Sequence, residues 1–219
     1  MDYYLVLFEA GKAGTWLTWL INQHNNFPQY PKVVRHNMEG WGVGGECWGE
    51  TKWVTVDGAG WYVDDDDCFK KETFEESRNR NPSNALKDCV KVIPNHPCRK
   101  SHNLVDQELF QHIIDEVKPK VVIVPIVTEM IDEFADRWTI IKKFQSGEDQ
   151  DDRKDWIEWQ KYLEVDKPYD RPTHKVHYVD IGKMLNGHME EYWDLAEAID
   201  EEPLENIEEV IDDFIKFFV

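Results

Sequence analysis

The chain has 219 residues, 41% of them hydrophobic, with ten tryptophans and a formal net charge of −19. That length suits a single α/β domain over residues 1–219 with a sizeable core, and is short for two domains. The acidity sets aside nucleic acid and anionic membranes as partners and leaves an anionic ligand only a place where cations gather locally.

An apolar run from Tyr3 to Phe8 reads as a buried strand. It passes through Glu9-Ala10-Gly11-Lys12-Ala13-Gly14 into an apolar helix, Thr15-Trp16-Leu17-Thr18-Trp19-Leu20-Ile21. A strand, a turn with two glycines and a lysine, and a helix aim main-chain N–H groups at one point, which suits a phosphate or sulfate. Asn25-Asn26-Phe27-Pro28 punctuates the chain, and Lys32–His36 reads as a second strand. From about residue 37 to 82, glycines interleave with Trp41, Trp48, Trp53 and Trp61, an insertion expected to form hairpins or an irregular flap. Asp64–Asp67 lacks the spaced ligands of a metal loop and reads as a solvated turn.

Cys89–Ile93 reads as a strand leading to Pro94-Asn95-His96-Pro97. The next helix, Asp106 to Val117, carries Leu109, Phe110, Ile113 and Ile114 at close to a 3.6-residue period. The unbroken run Val121–Val127 is expected as a central parallel strand covered on both faces. Helical patterns follow over Glu129–Phe144 and Asp152–Tyr162, separated by a charged loop at Ser146–Asp151. Val176–Ile181 reads as the last strand, and two acidic amphipathic helices, about Gly187–Ile199 and Leu204–Phe217, close the chain. Strands and helices alternating at these intervals indicate an α/β parallel sheet. Cys47, Cys68, Cys89 and Cys98 form no CxxC pair, so reduced thiols in a cytoplasmic protein are expected. No run reaches transmembrane length, and Met1-Asp2 leads into the strand without a basic leader, so no targeting segment is expected.

The turn at Lys12 is not a Walker A loop, because the lysine precedes Gly14-Thr15 instead of following the second glycine. The order Gly11-Lys12-Ala13-Gly14-Thr15-Trp16-Leu17 resembles the phosphosulfate-binding loop of the P-loop sulfotransferases, typically Pro-Lys-Ser-Gly-Thr-Thr-Trp-Leu. Two further segments are similar to that family in order. One is Val92-Ile93-Pro94-Asn95-His96-Pro97 with the helix and β-branched strand after it, where the family has a strand ending in Lys-Thr-His. The other is Tyr178-Val179-Asp180 leading into paired helices.

The resemblance implies a P-loop NTPase-like, sulfotransferase-type three-layer sandwich, a parallel β-sheet flanked by helices. It implies transfer of a sulfuryl group from 3′-phosphoadenosine 5′-phosphosulfate (PAPS) to a hydroxyl or amine, with no metal. Gly11, Lys12, Ala13, Gly14, Thr15 and Trp16 would hold the phosphosulfate. Lys12 would neutralise the bridging oxygen, and His96 would take the acceptor's proton, with His36 as reserve base. A carbohydrate, lipid or small phenol acceptor would lie against the 37–82 insertion. The chain departs from the family where the donor's 3′-phosphate is read, since Ile126 and Phe134 stand in place of an arginine and a serine. Pro94 replaces the lysine before the histidine, and the late Gly-x-x-Gly-Asp-Trp-Lys segment is missing. Arg35, Arg78, Arg80, Arg99 and Arg137 are the cations available to replace these contacts.

Two alternatives share the fold. A nucleotide-type kinase would need a magnesium-binding carboxylate near a central strand's end, for which Asp57, Asp180 and Glu129 are the candidates. A sulfotransferase-like interaction protein without activity would use exposed Trp41, Trp48 and Trp61 as its contact surface.

Overall fold

The computed structural model describes residues 2–8, 12–27, 53–55, 59–63, 69–73, 86–93, 114, 118–146, 153–167, 169–170 and 173–218. The described strands are β1 (Asp2–Leu7), β2 (Trp53–Thr55), β3 (Ala59–Val63), β4 (Phe69–Thr73), β5 (Lys87–Ile93), β6 (Val121–Ile126) and β7 (Lys175–Asp180). The described helices are α1 (Gly14–Ile21), α2 (Ile131–Ser146), α3 (Arg153–Asp166), α4 (Ile181–Leu185), α5 (Glu190–Ala198) and α6 (Ile207–Phe218). One sheet holds the strands in the order β4-β3-β2-β5-β1-β6-β7. The run from β2 to β7 is parallel throughout, with β1 at its centre, and β3 and β4 extend it as an antiparallel hairpin.

β6 and most of β1 are buried on both faces, which is why they read as continuous apolar runs. Along β1, Tyr4, Val6 and Phe8 join one core with Trp16, Leu17 and Leu20 of α1 and with Leu195, Ile211 and Phe214 of the C-terminal helices. Leu5 and Leu7 point the other way, with Val122 and Val124 of β6, into a second core closed by Ile114 and by Trp159 and Leu163 of α3. Helices therefore cover both faces of an α/β sheet. All six residues of β6 are buried, as the apolar run Val121–Val127 predicted for a strand covered on both faces.

The hairpin expected in the 37–82 insertion is present as β3 and β4, and it joins the main sheet instead of standing as a flap. Trp53–Thr55 pairs in parallel with Lys91–Ile93, and the β3–β4 hairpin continues the sheet from there. The physical reason is that β5 would otherwise present unpaired main-chain groups, which an extended segment with Val54 and Thr55 satisfies. The expected strand at Lys32–His36, the helix at 106–117 apart from Ile114, the loop at 147–151, and Trp41 and Trp48 lie outside the described residues. Among the described residues, no helix is long and apolar enough to cross a membrane.

The C-terminal helices are fastened where the parallel strands begin. Lys87, the first residue of β5, is buried and its Nζ donates to the carbonyls of Ile199 (2.9 Å) and Asp200 (2.6 Å) and pairs with Glu201 (2.5 Å). Asn26 donates to the same carboxylate at 2.9 Å. His24, also buried, places Nδ1 3.1 Å from the Glu202 carbonyl and Nε2 3.3 Å from the Tyr192 hydroxyl. A carbonyl only accepts, so Nδ1 carries the proton and Nε2 accepts from Tyr192. The Tyr192 oxygen in turn accepts from the Leu204 N–H at 2.7 Å. Burial pushes the Tyr192 phenol up to about 12, so it stays a donor at any working pH.

Burial likewise lowers the His24 pKa, against the opposing pull of Glu201, and burial lowers that of His177 on β7. A histidine with a depressed folded pKa binds its proton more readily in the unfolded chain. Its stabilisation is therefore complete above the unfolded value of about 6.5 and fades as pH falls through the folded one. Unfolding midpoints in urea are expected to be flat from pH 8 to 7 and to drop from pH 6.5 to 5. His24→Gln is expected to flatten that drop, and an unchanged slope would contradict the assignment.

Candidate active site at the ends of β1, β6 and β7

The chain leaves β1 through α1 for strands on one side of it, β2 and β5, and leaves β6 through α2 and α3 for β7 on the other side. The direction of winding thus reverses between two neighbouring strands, β1 and β6. In open α/β sheets, ligands gather beyond the carboxyl ends at such a reversal.

On the β1 side, Lys12 is only 2% exposed, and its ammonium lies over the Trp159 ring of α3 at 5.8 Å from the centroid. Ala13 follows in the left-handed region (φ 52°) and serves as N-cap of α1. The helix starts with no side-chain cap and no acidic residue in its first turn. An α-helix leaves its first N–H groups without intrahelical acceptors, so the positive end of α1 lies beside a buried cation. Behind this turn the packing is tight. A Cβ on Gly14 would come within 2.0 Å of Phe8 Cγ, so the glycine is required by the phenylalanine ring pressed against it. Trp16 is buried and stacks on Phe214 at 4.3 Å with 15° between the planes. Its indole belongs to the core, and only its main chain faces the turn's role.

On the β6–β7 side, the two strands finish in interlocked turns. Asp180 is buried and accepts from the N–H groups of Thr128 (3.2 Å) and Lys183 (3.1 Å) and from the Thr128 hydroxyl. It therefore caps α4 and ties β7 to the turn after β6. Glu129 accepts from Asn186 Nδ2 at 2.5 Å and lies 3.3 Å from His188 Nε2. Met130 then takes φ 52°. Gly182 sits so close to this turn that a Cβ would come 2.0 Å from the Glu129 carbonyl oxygen, a main-chain atom with nowhere to go. Gly182→Ala is expected to cost about 1–3 kcal/mol or more of stability. Chemical denaturation checks this, and a neutral result would mean that the two turns are not in contact.

Of the residues singled out by sequence, Lys12, Ala13, Gly14 and Trp16 come together at the start of α1, with Thr15 in its first turn. Gly11, His36, His96, Arg35, Arg78, Arg80, Arg99 and Asp57 lie outside the described residues. Arg137 lies on α2. Ile126 and Phe134 are both core residues, Ile126 in the α3-side cluster and Phe134 stacked parallel to Trp156 at 6.5 Å. They hold apolar places that an arginine and a serine could not fill. Sequence reading missed Trp159 as the partner of Lys12, since nothing local links two positions so far apart. It also ran the last strand through Ile181 and missed α4, although an Asp directly before Ile181-Gly182-Lys183 is a usable cap signal.

Compared with protein-family models, curated proteins and solved structures, the chain matches none.

Proposed function

We propose that the Lys12 turn binds the phosphosulfate end of a nucleotide donor and that the chain transfers a sulfuryl group from PAPS to a hydroxyl or amine. The observation that carries this reading is a lysine buried at the end of the central strand, next to an uncapped helix N-terminus, at the winding reversal. In a molecule of net charge −19, a cation held out of water here gives an anion its local place. In the transfer, the acceptor atom attacks sulfur and the sulfur–oxygen bond to the phosphate breaks. Lys12 and the α1 amides stabilise the charge left on the departing phosphate. The acceptor's proton goes to a base, the role the sequence resemblance assigns to His96. The resemblance also supports a P-loop NTPase-like type of sheet.

The kinase alternative is weakened by Asp180. Its carboxylate is buried and already accepts three protein hydrogen bonds, which leaves little for a magnesium ion. A second reading, a binding protein without turnover, is favoured by Ile126 and Phe134, which remove the usual reading of the 3′-phosphate and are locked into the core.

Calorimetric titration with 3′-phosphoadenosine 5′-phosphate, beside ATP with magnesium, separates these readings. Binding of the first alone is expected. Binding of ATP with magnesium alone would move the assignment to phosphoryl transfer, and binding of neither would leave the interaction protein.

A further inference from the structure

Trp156 and Gln160 stand one turn apart on α3 and so share a face of the helix. That face meets α2, where the Trp156 indole lies nearly parallel to the Phe134 ring, 9° between planes. Gln160 has no exposed surface, and neither end of its carboxamide has a hydrogen-bond partner among the described residues. Trp156 Nε1 is buried in the same condition. Buried polar groups are nearly always paired, so two such side chains one turn apart on the same face call for an explanation. Packing α2 on α3 alone would be better served by an apolar residue at 160. The adjacent residue, Trp159, is the one under the Lys12 ammonium.

We propose that Gln160 and Trp156 form a recognition site for an aminopurine. A glutamine carboxamide matches the adenine edge, its oxygen accepting from the 6-amino group while its NH2 donates to N7. The Trp156 N–H supplies a further donor for a ring nitrogen, and the aromatic rings of Trp156 and Phe134 offer faces for stacking. Entry needs α2 and α3 to part at their near ends. There Arg153 bonds Asp132 (2.5 Å) and Asp136 (2.9 Å), exposed pairs of the kind that hold weakly. The purine is either the base of the nucleotide whose anionic end sits at Lys12 or a free nucleoside. The first source rests on the proposed function, and the second does not.

The test uses the full chain and Gln160→Met, which keeps the length of the side chain and removes its polar atoms. Without ligand, Gln160→Met is expected to melt about 2–6 °C higher, because a buried unpaired amide is gone. A lower melting temperature would mean that Gln160 is satisfied in the core, and it would overturn the site. In titrations, wild type is expected to take adenosine at least about tenfold more tightly than inosine, which lacks the 6-amino donor. Gln160→Met is expected to lose at least about tenfold for adenosine and for adenosine 3′,5′-bisphosphate, and nothing for pyrophosphate. Pyrophosphate binding to wild type with no gain from the adenine ring overturns the purine site and leaves the Lys12 reading standing. Adenosine binding that depends on Gln160, with no contribution from phosphate, supports the site and overturns the Lys12 reading. No adenosine or bisphosphate binding to wild type overturns the purine site directly.

Discussion

Lys87→Met is expected to lower the free energy of unfolding by about 3–5 kcal/mol, the loss typical of breaking a buried ion pair by removing one partner. The side chains of Lys87 and Glu201 are 9% and 6% exposed, so water cannot replace the missing ammonium. The change strands the Glu201 carboxylate and two main-chain carbonyls, those of Ile199 and Asp200. Tyr4 and Phe27, whose rings lie 5.9 and 5.8 Å from the ammonium, lose a cation over their faces. Urea titration of the two proteins measures the effect. Lys120, which pairs with Asp2 and Asp200 at 3.5 and 3.6 Å with its side chain 45% exposed, is the natural control. Its replacement should change stability by under about 1 kcal/mol. Equal losses at the two lysines would show that Lys87 is not the anchor described.

Lys12→Met is expected to weaken binding of 3′-phosphoadenosine 5′-phosphate about 10- to 100-fold, the value of one or two charge-assisted hydrogen bonds. Methionine is chosen over alanine because Lys12 is buried. Its ammonium lies over the Trp159 ring, and truncation to Cβ would open a void whose cost would be confused with lost binding. If the anion binds Lys12→Met as tightly as wild type, the turn is a packing element and the proposed reaction has no seat. If binding is lost and turnover falls in parallel, the lysine acts in both.

Much of the scaffold was legible from local pattern. β1 and β6 announced themselves as apolar runs because strands covered on both faces need apolar residues at nearly every position, and β5 and β7 as strand-like stretches interrupted by Lys91 and His177. α5 and α6 were visible because their apolar positions recur with the helical period. What escaped was non-local. Trp53–Thr55 has the same alternation whether it folds into a flap or pairs with β5, and only the free edge of β5 decides. Gly14 reads equally well as a cradle for phosphate and as room for the Phe8 ring, and both demand a missing Cβ. The site was legible to the extent that Lys12 stands at the predicted end of the predicted strand. That it would be covered by an indole from α3 depends on how a helix far along the chain lies across the sheet. Gln160 looked like an ordinary polar position of an amphipathic helix, and only its burial marks it.

The anchors formed by Lys87, His24 and Asn26 all sit at the foot of the sheet, while Lys12 stands at its head. A foundation separated in this way from the working rim lets the rim change its residues without bringing the building down.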